Sequence, residues 1–243
     1  MFMYLFFIII IFVTTSNPLL AIETGDSEWK NVAELGIFAS VGNTKSKTMS
    51  GNLSVTNERK KSRHHMKITA FNASGEDSSG VDRTTAESYS FYGKSGFKYS
   101  EKHNVFVTIQ YEQDRFSGLN YRLTETIGYG NRIIDKENML FDIEGGAGSR
   151  QSEPKTGHLL EEFLFRVTGY FKVKLTENIT LTENLTSDFG DGSTITKSTT
   201  SLSTQVIGNL AMKLSLNLKR TSDVPEGIKK NDADSTLTLA YDF

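Results

Sequence analysis

Apolar and polar residues alternate one by one along most of the chain beyond residue 32. Because successive side chains of a β-strand point to opposite faces, this period of two predicts strands with one apolar face and one polar face. The clearest case is residues 210–218, where every second residue is leucine or methionine. Equivalent runs cover residues 33–41, 49–56, 89–99, 105–114, 121–132, 139–144 and 163–175. Together with a weaker run at residues 66–72 and further segments at residues 179–188, 199–208 and 235–243, we count about twelve strands.

Connections between the predicted strands alternate between long and short. The long ones include residues 42–47, 75–85, 152–158, 190–197 and 222–234, and the short ones include residues 100–104, 135–138, 176–178 and 208–209. Outer-membrane barrels have short periplasmic turns and longer outer loops. The pattern predicts an all-β fold, an antiparallel transmembrane β-barrel of about twelve strands.

Residues 1–21 contain no charged residue and differ from the rest of the chain. Their apolar run, residues 1–13, is shorter than the roughly 20 apolar residues that a membrane-spanning helix needs. We interpret residues 1–21 as a secretory signal peptide cleaved after Ala21, which leaves residues 22–243 as the barrel domain. The mean hydropathy is low, −0.34, as expected when lipid-facing residues occupy only alternate positions of each strand.

Charge and cysteine content exclude several classes of function. The formal net charge is −2, whereas a protein that binds nucleic acid presents a strongly basic face. The basic cluster at residues 59–63 is therefore interpreted as a solvated turn. The chain has no cysteine, which excludes disulfides, a thiol nucleophile, cysteine-ligated zinc and a lipoprotein anchor. We expect no metal and no cofactor; the expected partners are outer-membrane lipid, the barrel assembly machinery, and small solutes or ions.

The last strand carries the most specific local signal. Leu237, Leu239, Tyr241 and Phe243 alternate with polar or small residues, and the chain ends on the aromatic ring. This arrangement resembles the C-terminal strand that the barrel assembly machinery recognises. We therefore predict that these four residues form the assembly signal.

Five segments spread over the chain carry a recognisable pattern: residues 34–36 (Glu-Leu-Gly), 42–44 (Gly-Asn-Thr), 114–122, 222–227 and 232–243. Their order along the chain resembles the salt-induced outer membrane protein family, which is defined by a domain of unknown function. The resemblance implies an outer-membrane barrel of the Gram-negative cell envelope and a response to salt or envelope stress. It implies no reaction.

The polar face of the predicted strands brings charges of both signs into the lumen. The candidates are Glu34, Lys94, Glu112, Asp114, Arg122, Arg132, Asp142, Glu144, Arg166 and Lys213, and a wider set adds Lys67, Lys98, Lys172, Asp188 and Lys219. Charges in a narrow lumen must be paired or hydrated, because an isolated buried ion is costly. They form either a ladder of ion pairs that plugs the barrel or a water-filled path whose basic surplus favours anions.

No pattern predicts a catalytic residue. Residues 114–118 (Asp-Arg-Phe-Ser-Gly) are interpreted as a tight hydrogen-bonded turn, with Phe116 in an outer aromatic girdle. At the outer rim only His158, with Asp188 or Asp191, offers a histidine and a carboxylate for acid–base chemistry. We interpret His158 as a solvated loop residue.

The leading hypothesis is a non-enzymatic structural or stress-related barrel, including the case of a narrow porin-like channel. One alternative is a barrel enzyme that acts on lipid or peptide at the outer rim. Another is a soluble periplasmic β-protein, which requires the apolar face of the strands to point inward.

Overall fold

The computed structural model describes residues 27–40, 46–76, 81–224 and 227–243, and the predicted signal peptide lies outside them. The elements in these ranges are twelve strands. They are β1 (Glu28–Ser40), β2 (Ser46–Glu58), β3 (Ser62–Glu76), β4 (Asp82–Lys98), β5 (His103–Asp114), β6 (Leu119–Lys136), β7 (Met139–Pro154), β8 (Leu160–Lys174), β9 (Ile179–Gly190), β10 (Thr194–Ile207), β11 (Leu210–Thr221) and β12 (Asn231–Asp242). No helix within the described ranges is long and apolar enough to cross a membrane.

The strands close into one barrel. Each strand pairs antiparallel with its neighbours in sequence, and β1 pairs with β12. The predicted all-β antiparallel barrel of twelve strands is therefore confirmed. The closing seam between β1 and β12 is short: its register covers Val32 to Leu35 on β1 and Leu239 to Asp242 on β12.

The connections lie at two ends of the barrel. The turn end carries residues 59–61, 99–102, 137–138, 175–178 and 208–209, together with the start of β1 and the end of β12. The loop end includes residues 115–118, 155–159 and 191–193. The second and third of these loops are shorter than the predicted outer loops at residues 152–158 and 190–197, because the strand ladder continues through polar residues whose composition predicts loops.

The apolar face of each strand points away from the lumen. Ile127 and Phe163 are 66% and 62% exposed, whereas Thr126 and Arg166 on the polar face are 5% and 6% exposed. A soluble protein buries its large apolar side chains. The alternative of a soluble β-protein with an apolar interior is therefore wrong.

Glycines on the inner faces of β6 and β7 bring these two strands close together. A Cβ atom at Gly148 would overlap the carbonyl oxygen of Glu125, and one at Gly146 would lie 2.7 Å from the carbonyl oxygen of Ile127. At Gly128 a Cβ atom would lie 2.6 Å from the Phe106 ring. The glycines thus allow close strand contact and let Phe106 pack against the wall.

Candidate functional site

The lumen has a filled half and an open half. On the inner faces of β5 to β8, Phe106, Thr124, Leu164 and Arg166 are buried. The inner faces of β10 to β12 and β1 to β3 carry many short hydroxyl side chains, and those that line the cavity include Ser50, Thr69, Thr199, Ser215 and Thr236. Because short side chains leave space, a cavity of about 1450 Å³ extends from the loop end into the barrel beside them.

One ion pair crosses the lumen. Lys197 on β10 binds Glu112 on β5, although these strands are five positions apart in a ring of twelve. A lysine and a glutamate together reach only part of the way across an open circular barrel of this strand number. Opposite walls are therefore drawn together, and we call this pair the strut.

A second ion pair joins strands that are not neighbours. Lys94 on β4 binds Glu144 on β7, and the Lys94 ammonium lies 4.3 Å from the centre of the Phe106 ring. Neither Lys94 nor Glu144 lines the large cavity. Together with Phe106, this pair occupies the lumen on the turn-end side of the cavity.

The filled half is held by ion pairs between neighbouring strands. Arg166 binds Asp188 through two hydrogen bonds, Nε to Oδ1 at 2.5 Å and Nη2 to Oδ2 at 2.7 Å, and both side chains are 8% exposed. Arg132 binds Asp142 in the same way, at 2.9 and 3.2 Å. Such two-point pairs fix the geometry as well as the charge of both partners.

Charged side chains line the part of the cavity that the strands enclose. Five of them are the cations Lys67, Arg122, Lys197, Lys213 and Lys219, and the carboxylates beside them include Glu34 and Glu112. We call these seven residues the cavity floor. Lys213 donates to Glu34 at 2.8 Å, and Asn52 donates to the other oxygen of Glu34 at 3.1 Å.

Three cations of the cavity floor have no acidic partner among the described residues. Arg122 donates through Nε to the Ser152 hydroxyl at 3.3 Å. Within residues 27–40, 46–76, 81–224 and 227–243, no carboxylate lies within ion-pair distance of Lys67, Arg122 or Lys219. A basic side chain without a nearby carboxylate, in a confined polar space, attracts anions. Carboxylates also line the cavity: Glu161, Asp191 and Asp223 lie towards the loop end, and Asp232 lies opposite Lys219 in the ladder of β11 and β12.

The ten lumen candidates lie on the polar faces of the strands, where the alternation places them. The structure brings eight of them into ion pairs within the lumen, namely Glu34 with Lys213, Lys94 with Glu144, Arg132 with Asp142, Arg166 with Asp188 and Glu112 with Lys197. Arg122 binds Ser152 rather than a carboxylate.

Asp114 is the exception, because it forms the turn that follows β5. Its carboxylate accepts a hydrogen bond from the backbone N–H of Phe116 at 2.9 Å, its carbonyl accepts one from Ser117 at 2.8 Å, and Gly118 has a φ of 79°. The interpretation of residues 114–118 as a tight hydrogen-bonded turn is confirmed.

Sequence reasoning missed three charged residues of the lumen. Lys197 belongs to β10, although the composition of residues 190–197 predicts a loop. Arg150 and Glu162 form an ion pair on the inner faces of β7 and β8, and Arg150 also donates to the Ser193 carbonyl at 2.6 Å. Extending the alternation of the runs that begin at residues 139 and 163 would have placed Arg150 and Glu162 inside.

The histidine and carboxylate combination at the outer rim is not assembled. His158 is exposed in the connection between β7 and β8, whereas Asp188 is buried and binds Arg166. His64, His65 and His103 bond to Ser95, Thr56 and Tyr129, respectively. Within the described part of the chain, no three acidic or histidine side chains come together in a way that could hold a metal ion.

Comparison with known proteins places the chain among uncharacterised relatives. A family model described as "Protein of unknown function, DUF481" matches residues 33–243. The uncharacterized protein YdiY of Escherichia coli (strain K12) is 26% identical over 209 residues, which cover 85% of this chain and 80% of that protein.

Solved structures with a similar shape are outer-membrane barrels. A NanC porin has a TM-score of 0.55 and 11% identity, covering 87% of this chain and 98% of its own. An outer-membrane channel from Pseudomonas putida F1 has a TM-score of 0.49 and 10% identity. The match covers 92% of this chain and 97% of that channel. The likeness to the NanC porin shows that this chain has the fold of an outer-membrane porin.

Proposed function

The chain belongs to the DUF481 family, as its resemblance predicted, and from this premise we propose that it is a non-enzymatic outer-membrane channel for small anionic solutes. The observation that carries the proposal is the cavity floor, where three of the five cations have no carboxylate within ion-pair distance among the described residues. The response to salt or stress that the resemblance implies stays a prediction.

The outer surface supports the membrane location. Aromatic rings lie near both ends of the apolar band: Tyr111 and Tyr121 stack with ring centres 5.9 Å apart towards the loop end, and Tyr99, His103 and Tyr129 cluster at the turn end. Aromatic residues form such girdles where barrel walls meet the two lipid interfaces. The apolar band between them suits the hydrocarbon layer.

The lumen supports a narrow path rather than a wide pore. The strut draws opposite walls together, and the filled half removes much of the cross-section. An anion that enters the open half exchanges part of its hydration for serine and threonine hydroxyls and for Lys67, Arg122 and Lys219. Rings of basic side chains select anions in other pores. We therefore expect a small conductance with a preference for anions.

The test is conductance in planar lipid bilayers with purified barrel. In a potassium chloride gradient, the reversal potential should show chloride more permeant than potassium. Lys67→Glu reverses one charge of the cavity floor that has no ion-pair partner among the described residues. The ratio of chloride permeability to potassium permeability should therefore fall towards one or below it. Lys60→Glu is the matched control, because it makes the same charge change in the exposed turn between β2 and β3 and should leave the reversal potential near the wild-type value.

Purified barrel that shows the correct heat-dependent gel migration should give conductance steps. If it gives none, the channel proposal is contradicted. The protein would then be a structural or salt-responsive envelope component. Hydrolysis of phospholipid or peptide by the purified barrel would overturn the non-enzymatic part of the proposal.

A further inference from the structure

The outer wall formed by β9 and β10 carries several hydroxyl side chains and one carboxylate. Inward-facing Asp188, Ile195 and Ser201 are buried, so the alternation points Glu183, Ser187, Thr196, Ser198 and Thr200 outward. We call these five outward residues the hydroxyl patch. Each of the five is half-buried.

Glu183 sits within the apolar band. Its neighbours on the outer face of β9 are Leu181 and Leu185, and its partners across the two ladders are Phe171 and Thr200. Leu185 and Leu216, the latter opposite Thr200 on β11, are exposed on the same surface. The carboxylate therefore lies where lipid chains would otherwise cover the wall.

The hydroxyl patch is only partly satisfied by its own hydrogen bonds. Ser198 donates to one oxygen of Glu183 at 2.7 Å, and Thr200 donates to the other. A carboxylate has about four acceptor positions, so about two stay open. The Ser187 and Thr196 hydroxyls bond to each other at 3.1 Å, which uses one of their two O–H donors. The patch thus offers open acceptors and an open donor side by side.

Lipid chains cannot supply hydrogen bonds, so polar groups that face hydrocarbon are costly. Ionisable side chains inside membranes are rare and usually contact a partner. The described residues place no lysine or arginine beside Glu183 on this wall. A partner must therefore come from outside the barrel.

We propose that the hydroxyl patch is the interface with a second copy of this chain. A two-fold contact joins a surface to itself, so it needs donors and acceptors on the same patch, and this patch has both. The inference rests on the membrane location in the proposed function but not on conduction.

A two-fold axis along the membrane normal that passes between Glu183 on β9 and its ladder partner Thr200 on β10 gives a geometry in which both carboxylates are accommodated. This rotation sets β9 of one copy opposite β10 of the other. Because strands lie about 4.8 Å apart, the two Glu183 side chains would lie on opposite sides of the axis, roughly one strand spacing apart along the wall. Each carboxylate could then accept from the partner's hydroxyls without meeting the other carboxylate. The leucines of β11 beside the patch would add apolar contact.

The absence of cysteine from the chain allows a clean cross-linking test. Ser198→Cys places one thiol at the centre of the hydroxyl patch with little change of size. Ala70→Cys is the matched control, because Ala70 is also a small outward residue of the apolar band, on β3 at a distant wall. Each variant is oxidised in isolated outer membranes and run on a non-reducing gel, with two differently tagged copies expressed together.

We expect Ser198→Cys to give a disulfide-linked dimer that contains both tags, with at least a tenfold excess over Ala70→Cys. Adding Glu183→Leu to Ser198→Cys should reduce the dimer several-fold, and Glu183→Gln, which keeps an acceptor, should retain more of it. Heat-dependent gel migration of each variant reports that the barrel is folded.

Equal cross-linking of both single-cysteine variants, or none from folded Ser198→Cys barrel, would overturn the interface. A Ser198→Cys product with only one tag and a different protein would also overturn it. None of these outcomes depends on whether the barrel conducts, so failure of the interface and failure of the channel are distinguishable.

Discussion

Ion pairs in this barrel differ in how much water surrounds them. The side chains of Arg166 and Asp188 are both 8% exposed, whereas those of Lys47 and Asp82 at the loop end are 71% and 60% exposed. Removing one partner of a buried pair leaves the other charge unpaired. An exposed pair contributes little, since water and salt screen it.

Asp188→Asn should therefore destabilise the barrel strongly, by about 3–5 kcal/mol in the free energy of unfolding, because Arg166 stays buried without its counter-charge. Asp82→Asn makes the same substitution in the exposed pair and should cost less than about 1 kcal/mol. Urea unfolding of the barrel in lipid vesicles measures both. Similar losses for the two variants would show that the Arg166–Asp188 pair is not a special source of stability.

The residue scale also shows which lumen charges were predictable. Glu34, Lys94, Glu144 and Arg166 lie on the polar side of strongly alternating runs, so their inward direction follows from the sequence. Lys197 was missed because residues 190–197 look like a loop by composition. Its polar neighbours are nevertheless held in β10 by the ladder with β9.

Neighbouring strands of this barrel lie closer together in some places than in others. The glycine positions show where two strands lie closest. At Gly148 on β7 the space for a Cβ atom is occupied by the backbone of β6, whereas at Gly51 on β2 nothing lies within 4 Å. Backbone cannot move aside as a flexible side chain can. The two strands β6 and β7 should therefore tolerate no side chain at residue 148.

Gly148→Ala should reduce the yield of folded barrel and lower its stability by about 1–3 kcal/mol, the usual cost of overpacking. Gly51→Ala is the control and should fold like the wild type. The fraction that migrates as folded barrel on an unboiled gel measures the yield. Equal yields for the two variants would mean that β6 and β7 can separate at low cost.

Strand existence was predictable, but strand boundaries were not. The weak run at residues 66–72 is the centre of β3, which extends from Ser62 to Glu76. Its ends carry polar residues that would suit a loop, yet their backbone groups pair with β2 and β4. The role of Leu237, Leu239, Tyr241 and Phe243 as an assembly signal stays a prediction, although these side chains do face outward and are exposed.

The whole molecule is a flattened rather than an open ring, and the strut is the clearest sign of this shape. The Lys197–Glu112 pair joins walls that are far apart along the chain, 85 residues in sequence. Two opposite charges at this position attract, and two like charges would repel. The charge pair should therefore control how closely β5 and β10 approach.

Lys197→Glu alone places two carboxylates opposite each other and should lower the unfolding midpoint in urea. Glu112→Lys alone should do the same with two cations. The double charge swap restores the attraction, so it should recover most of the stability that either single variant loses. A double-mutant cycle on the urea transitions measures this coupling; additive losses would show that the strut does not hold the walls together.

The sequence by itself determined the fold class, the outward direction of the apolar residues and the charged character of the lumen. These properties follow from a local rule, because neighbouring side chains on any strand must point to opposite faces. Only the tertiary structure decided which charges pair, which half of the lumen is filled and which hydroxyls surround Glu183. Those contacts depend on ring closure, register and the shape of the cross-section, which join residues that no local pattern connects.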